Sequence, residues 1–161
     1  MRNLIRKIVV LSFISLLLFP ASSFALDVGD EAPAFTAQSN QGEISLADFG
    51  GKKHVVLALY FAVFTSVWAS ELANFQRDLE EFEKLDAQVI GVSDDDMETL
   101  EKFVKEENIS FPLVSDIQKD IKRKYGSGRI TYLIDRQGII RFVQKGVPEN
   151  DEFIQQLKLI Q

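Results

Sequence analysis

The chain has 161 residues, of which 46% are apolar and 26% charged, a composition typical of a single globular domain. It contains no cysteine and one histidine, His54, which excludes disulfides and thiolate chemistry and argues against a transition-metal site. The formal net charge of −6 argues against binding to nucleic acid or to anionic lipid.

Residues 1–25 have the pattern of a secretory signal peptide. A basic start, MRNLIRK, precedes the twelve-residue run IVVLSFISLLLF and a small-x-small cleavage site that ends at Ala25. Twelve residues are too few to span a bilayer comfortably, although an uncleaved anchor stays open as the alternative. We expect cleavage after Ala25, export to the periplasm or medium, and no membrane attachment afterwards. The remaining domain, residues 26–161, would carry a net charge of −9, because three basic residues leave with the signal.

The first half of this domain predicts a lead-in, a strand and a helix. Residues 26–53 are rich in Gly, Pro, Asn and Asp, which predicts irregular structure with one short hairpin around 40–42. The run HVVLALYFAV predicts a central strand that is buried on both faces. A single helix is predicted from about Ser66 to Leu85, because large apolar residues recur there at helical spacing. These residues are Trp68, Leu72, Phe75, Leu79 and Phe82.

The second half alternates strands and helices. AQVIGVS predicts a strand, DDDMETLEKFVKEEN a helix, ISFPLVSD an extended piece and IQKDIKRKYG a helix that Gly126 closes. RITYLIDRQGIIRFVQKG predicts a β-hairpin, and ENDEFIQQLKLIQ a C-terminal helix. A strand–helix–strand start requires a right-handed crossover and a parallel pair, and the hairpin adds an antiparallel edge. The order predicts an α/β fold, with a mixed central sheet and helices on both faces.

Several segments resemble one known family in the same order along the chain. These are VGDEAPAFTAQSNQGEISLADFGGKKHVVLALYF, then FTSVWASELANF, then FPLVSD and RITYLIDRQGIIR. They resemble the peroxiredoxins, the alkyl hydroperoxide reductase and thiol-specific antioxidant family. The resemblance covers about residues 27–147 and implies a thioredoxin-like fold.

The departures from the family pattern fall on its chemistry. Its peroxidatic segment usually runs Pro-x-x-x-Thr-x-x-Cys; here Phe61 stands at the proline, Thr65 at the threonine and Trp68 at the cysteine. Arg129 stands at the position of the active-site arginine. The resemblance implies that an active member lowers its thiolate pKa with the helix dipole, the threonine and the arginine. Without sulfur nothing accepts the transferred oxygen. We therefore predict no catalytic residue, no cofactor and no metal, with Thr65, Trp68 and Arg129 as vestigial active-site positions.

Each of these three positions also has a plain structural interpretation. Thr65 is favoured as a helix N-cap whose hydroxyl accepts from N–H groups of the next turn. Arg129 makes either an ion pair or backbone contact at the sheet edge or a cation–π stack on Trp68, and both stay open. Trp68 is favoured as a core-filling side chain over a platform for a ligand.

Two charged runs are also given structural roles. The run DDD at 94–96 lacks the glycine turn and closing glutamate of a calcium loop, so it predicts a helix N-cap and acidic first turn. The run KRK at 122–124 is interpreted as a solvated helix C-terminus.

Two hypotheses of function follow. The first is an exported, non-catalytic peroxiredoxin-like protein that binds another protein or a small ligand. The second is an antioxidant or oxidoreductase of the family that acts with a cysteine-bearing partner. A homodimer or a heteromeric protein partner is expected, through sheet edges or helix faces, and nucleic acid is not.

Overall fold

The computed structural model describes residues 26–161, so the predicted signal peptide and its cleavage after Ala25 lie outside the described residues. The strands are β1 Thr36–Ser39, β2 Gly42–Ser45, β3 His54–Leu59, β4 Ala87–Ser93, β5 Leu113–Ser115, β6 Ile130–Ile134 and β7 Ile140–Lys145. The helices are α1 Ser66–Arg77, α2 Leu79–Lys84, α3 Met97–Glu107, α4 Asp120–Tyr125 and α5 Asn150–Leu159.

The strands form one mixed sheet in the order β2-β1-β5-β4-β3-β6-β7. β3 pairs parallel with β4 and β4 parallel with β5, whereas the remaining neighbours are antiparallel. β3 lies between β4 and β6, and all six of its residues are buried, as expected for an apolar, β-branched run inside a sheet. The predicted parallel pair, the predicted hairpin at 40–42 and the antiparallel β6–β7 edge are therefore confirmed.

Helices cover both faces of the sheet. On one face, buried side chains of α1, α2, α3 and α5 form a single apolar cluster with β3 and β4. On the other face, α4 and the segment before β1 pack against β3, β6 and β7, with Phe35 and Tyr125 at ring-centroid distance 6.2 Å. The predicted α/β, thioredoxin-like architecture is confirmed, and it places the carboxyl end of β3 directly before α1.

The predicted single helix from Ser66 to Leu85 was wrong, because the structure divides it at Asp78 into α1 and α2. The Asp78 carboxylate pairs with Arg77 at 2.8 Å and accepts a hydrogen bond from Asn150 Nδ2 at 2.7 Å. These contacts accompany a backbone that leaves ideal helical geometry, with φ −98° and ψ 7° at Asp78. The apolar stripe nevertheless continues across the break, since Leu72, Phe75, Leu79 and Phe82 are all buried.

Two smaller differences concern segments predicted as irregular or helical. Residues 46–49 form a turn of 3-10 helix, which Ser45 and Asp48 close with a reciprocal capping box. α4 begins only at Asp120, because residues 117–119 form a turn in which Lys119 has the left-handed φ of 58°. The Asp116 carboxylate accepts from the backbone N–H groups of Ile121 and Lys122, which lie in the first turn of α4.

Candidate functional site

Trp68 lies in the first turn of α1, just beyond the carboxyl end of β3. Its indole is half-buried against the edge of the larger apolar cluster. The ring is 6.1 Å from Tyr60 and 6.0 Å from Phe61, measured between centroids, and the contact with Phe61 is edge-to-face. The core-filling interpretation is therefore correct for one part of the ring, while the other part remains accessible.

Arg129 contacts Trp68 from the strand side. Its guanidinium carbon is 4.0 Å from the indole ring, and its Nη1 is 3.2 Å from Oε1 of Glu71. The two interpretations of Arg129 that the sequence left open, cation–π stack and ion pair, are thus both present. A partly desolvated stack of this kind contributes about 0.5–2 kcal/mol.

Glu71 is a residue of this site that sequence reasoning used only as part of the family pattern. It lies three residues after Trp68 on the same face of α1 and is 7% exposed. Burial raises the pKa of Glu71 above its ordinary value, and the charge of Arg129 opposes that shift. Oε1 makes no well-directed hydrogen bond, so the 3.2 Å approach to Arg129 acts as an ion pair. The signal available in the sequence was a glutamate one turn after Trp68, on the same side of the predicted helix.

Thr65 occupies the N-cap position of α1, with an extended backbone of φ −89° and ψ 140°. The sequence predicted that its hydroxyl accepts from N–H groups of the next turn. In the structure the hydroxyl makes no such bond and instead donates to the Ala62 carbonyl at 3.4 Å. The prediction of a capping hydroxyl was therefore wrong, although the position is right. The first turn of α1 has no acidic residue of its own either.

The structure brings the three predicted positions together at one end of the sheet. Thr65 precedes α1, Trp68 lies in its first turn, and Arg129 immediately precedes β6 and stacks on the indole. The hydroxyls of Thr65 and Ser70 are bonded to local carbonyls, those of Ala62 and Ser66. His54 begins β3 at the opposite end of the strand and cannot serve them as a base. The site holds a cation, a carboxylate and an indole but no activated nucleophile.

A second polar cluster adjoins this site and corrects the interpretation of the run at 122–124 for Lys122, whereas Arg123 and Lys124 are exposed as predicted. Lys122 is 4% exposed rather than solvated; its ammonium donates to the Tyr60 carbonyl at 2.6 Å and to Asp94 Oδ1 at 2.5 Å. Its nitrogen also lies 4.9 Å from the centroid of Phe61. Lysine and aspartate, far apart in sequence, thus join α4 to the ends of β3 and β4.

The run of three aspartates is likewise only partly the N-terminal acid predicted. Asp96 is the N-cap of α3 and accepts from Thr99 N at 2.8 Å, as expected. Asp95 instead accepts from Val63 N at 2.7 Å, and Asp94 pairs with Lys122. Within residues 26–161, no group of three or more His, Cys, Asp or Glu side chains is arranged to hold a metal ion.

Comparison with known proteins agrees with this geometry. The family model described as the AhpC/TSA family matches residues 28–143, which is most of the chain. The chain belongs to the AhpC/TSA family. Peroxiredoxins are its relatives. Where the family carries its peroxidatic cysteine, this chain has Trp68.

Two curated relatives illustrate the similarity. The 2-Cys peroxiredoxin BAS1 of Hordeum vulgare is 32% identical over an alignment 133 residues long, which covers 71% of this chain and 63% of the barley protein. The peroxiredoxin Q of Populus jackii is 31% identical over an alignment 144 residues long, which covers 83% of this chain and 67% of the poplar protein. The AhpC/TSA chain therefore spans under two thirds of the length of the barley protein.

Solved structures give the same result. The reduced 2-Cys peroxiredoxin of Plasmodium vivax has a TM-score of 0.76 and 31% identity, covering 83% of this chain and 95% of that one. A Mycobacterium tuberculosis peroxidoxin, BcpB, reaches a TM-score of 0.78 at 23% identity and shares the fold. Among the helices of residues 26–161, none is long and apolar enough to cross a membrane.

Proposed function

We propose that this AhpC/TSA chain is a non-catalytic member of its family that acts by binding another protein or a small ligand. One observation carries the proposal: the position of the reacting thiol holds the indole of Trp68, on which Arg129 is stacked. Peroxide reduction by a thiol transfers one oxygen to sulfur and leaves water or an alcohol. A chain without cysteine has no sulfur of this kind to receive the oxygen.

The remaining groups offer no substitute for the thiolate. A serine or threonine nucleophile needs an adjacent base, and the neighbouring ionisable groups, Arg129 and Glu71, are engaged with each other at 3.2 Å. The guanidinium that would contact a peroxide is committed to the ring and the carboxylate. The arrangement supports a site that binds a small ligand or is covered by another protein, and it does not support catalytic turnover.

Exposed apolar side chains around α1 support a binding role. Phe61 and Phe64 are 45% and 49% exposed, Val67 is 49% exposed, and Val147 is 52% exposed. Single exposed apolar residues are ordinary, but three within seven residues at the rim of one site favour a contact surface. A second copy of the chain or a different protein would meet this surface, which is how we propose that a homodimer or a heteromeric complex forms.

A redox function in concert with a cysteine-bearing partner is the alternative. The observation in its favour is that Arg129 and the N-terminus of α1 remain in place, so a partner's thiolate would meet a positive environment there. In this case the chain would supply charge and the partner would supply sulfur. Its activity would exist only in the mixture.

A peroxide assay separates the two proposals. The purified chain is incubated with hydrogen peroxide and a thiol reductant, alone and with proteins captured by the tagged chain from envelope extracts. We expect no thiol-dependent turnover by the chain alone, and turnover near an ordinary rate of about 1 s⁻¹ by the chain alone would overturn the proposal. Turnover that requires both the chain and a captured protein would favour the alternative.

Export is also a proposal, supported by the basic, apolar and small-x-small segments of residues 1–25. Intact-mass measurement on protein from the envelope fraction tests it. We expect a chain that begins at Leu26, and a species that retains Met1 would indicate an anchor instead.

A further inference from the structure

A cavity of about 290 Å³ opens beside the buried Lys122, between the end of β3 and α4. Its walls combine one aromatic ring with charged side chains and a short turn. They are Phe61, Asp94, Lys119, Lys122, Arg123 and the turn Gly126–Ser127. Trp68 and Arg129 do not line it; the cavity shares Phe61 with the surroundings of Trp68 and includes Asp94 and Lys122 of the second polar cluster.

The charges of the wall leave a positive excess. Asp94 makes its short contact, 2.5 Å, with the buried Lys122, and its other oxygen is 3.6 Å from Lys119. One carboxylate thus faces two ammonium groups, and the looser contact leaves the 60%-exposed Lys119 available. Arg123 pairs with Asp120, which is not part of the wall. A local positive excess favours anions at this place even though the chain as a whole has a net charge of −6.

An apolar surface lies directly beside these cations. Phe61 is 45% exposed, and Lys122 Nζ, at 4.9 Å from the ring centroid, is fixed against it. Lys122 cannot move away without losing its bonds to the Tyr60 carbonyl and to Asp94. The cavity therefore presents a ring and a cation in a fixed relation, and its volume suits a molecule with one ring or a short chain.

We propose that this cavity binds a small free carboxylic acid with an apolar body, its carboxylate at Lys119 and its body against Phe61. The proposal goes beyond the function proposed above, because the cavity contains neither Trp68 nor Arg129. It makes no claim about redox chemistry, so failure of either proposal leaves the other standing.

Titration of the purified chain with benzoate tests this site. Trp68 is the sole tryptophan and touches Phe61 edge to face, so occupancy should change its emission. The backbone amides of Gly126 and Ser127 should shift in the same saturable range in NMR spectra. Benzamide, which keeps the ring and removes the charge, should bind at least about five-fold more weakly. No saturable response below about 20 mM benzoate, or equal binding of benzamide, would overturn the proposal.

Two lysines of the same segment supply a matched pair of variants. Lys119→Gln removes a cation of the wall, whereas Lys124→Gln removes an equal charge whose ammonium bonds the Ala34 carbonyl and does not line the cavity. We expect Lys119→Gln to weaken benzoate binding about three- to five-fold and Lys124→Gln to leave it within a factor of about 1.5. Equal weakening by both variants would mean that benzoate responds to overall charge, and the proposed site would then be wrong.

Discussion

The guanidinium of Arg129 lies 4.0 Å from the indole ring of Trp68, and the same cation is 3.2 Å from the carboxylate of Glu71. Trp68 and Glu71 are one helical turn apart on α1, while Arg129 immediately precedes β6. A single cation therefore joins the helix to the sheet through a ring and a charge at once. This relation suggests that the indole now contributes to stability at a position where the family places chemistry.

Trp68→Ala should lower the free energy of unfolding by about 1.5–3 kcal/mol. Fully buried large aromatic residues cost about 3–5 kcal/mol when truncated to alanine, and the half-exposed indole should cost less. Trp68→Phe, which keeps a ring for Arg129 to stack on, is the control and should lose under about 1.5 kcal/mol. Urea denaturation of the three proteins measures these values. An unchanged midpoint for Trp68→Ala would mean that the indole is a surface feature.

Trp68→Cys should produce a thiol with a pKa below the free value of about 8.5. The new sulfur would lie in the first turn of α1, whose positive end has no acidic side chain, and near the guanidinium that the indole released. Titration of thiolate absorbance in the variant, which would have no other cysteine, gives the pKa directly.

Two controls separate the causes of that shift. Ser70→Cys places the only thiol on the exposed second turn of α1 and should titrate near the free value. Adding Arg129→Gln to Trp68→Cys should raise the pKa again if the guanidinium is responsible. A pKa near 8.5 in Trp68→Cys itself would instead indicate that the surroundings no longer support a thiolate.

The sequence predicted the sheet better than it predicted the polar contacts. The apolar run of β3 predicted a strand buried inside the sheet, the strand–helix–strand order predicted its parallel pairing with β4, and the turn signal around Gly42 predicted the first hairpin. The ends of helices depend on partners far away in the chain. Asp78 divides the helix predicted from Ser66 to Leu85 and contacts Asn150, seventy-two residues later, which no local pattern reveals.

In the candidate site, too, the sequence predicted the positions of residues but not their polar contacts. The positions of Thr65, Trp68 and Arg129 followed from the family pattern, because that pattern places the first two at the start of α1 and the third just before β6. The direction of the Thr65 hydroxyl and the burial of Lys122 did not, since each depends on which acceptor lies nearest in three dimensions. A lysine within KRK has the sequence signature of a solvated helix end, and only the Tyr60 carbonyl and Asp94 make its burial favourable.

His54 should make stability depend on pH between about 7 and 5. It is 2% exposed and its ring nitrogens have no hydrogen-bond partner within the described chain. Burial first, and the charge of Arg136 second, lower the pKa of His54 from 6.5, against smaller opposing contributions from Asp135 and Asp86. The unfolded chain therefore binds a proton more readily than the folded chain. This contribution is fully present above pH 6.5 and is lost as the pH falls toward the lower folded pKa.

Comparison with His54→Phe isolates this effect from the carboxylates. The variant should lose less stability than the natural chain between pH 7 and 5, because it cannot take up that proton on unfolding. Urea denaturation at half-unit pH intervals provides the two curves. Parallel curves across this window would show that His54 titrates alike in both states.

Lys122→Met should destabilise the fold by about 2–4 kcal/mol, because it leaves Asp94 and the Tyr60 carbonyl without their shared buried donor. Lys124→Met is the matched control: it removes the same charge from α4, but its ammonium makes one exposed bond, to the Ala34 carbonyl, and its loss should cost under about 1 kcal/mol.

Asp94→Asn should also destabilise, since it leaves the Lys122 ammonium underpaired. The double variant Lys122→Met with Asp94→Asn should lose less than the sum of the two, as residues in direct contact do. Denaturant midpoints of the five proteins measure these losses. Equal, small losses for Lys122→Met and Lys124→Met would place the Lys122 ammonium in solvent. Strictly additive losses in the double variant would mean that Lys122 and Asp94 do not interact.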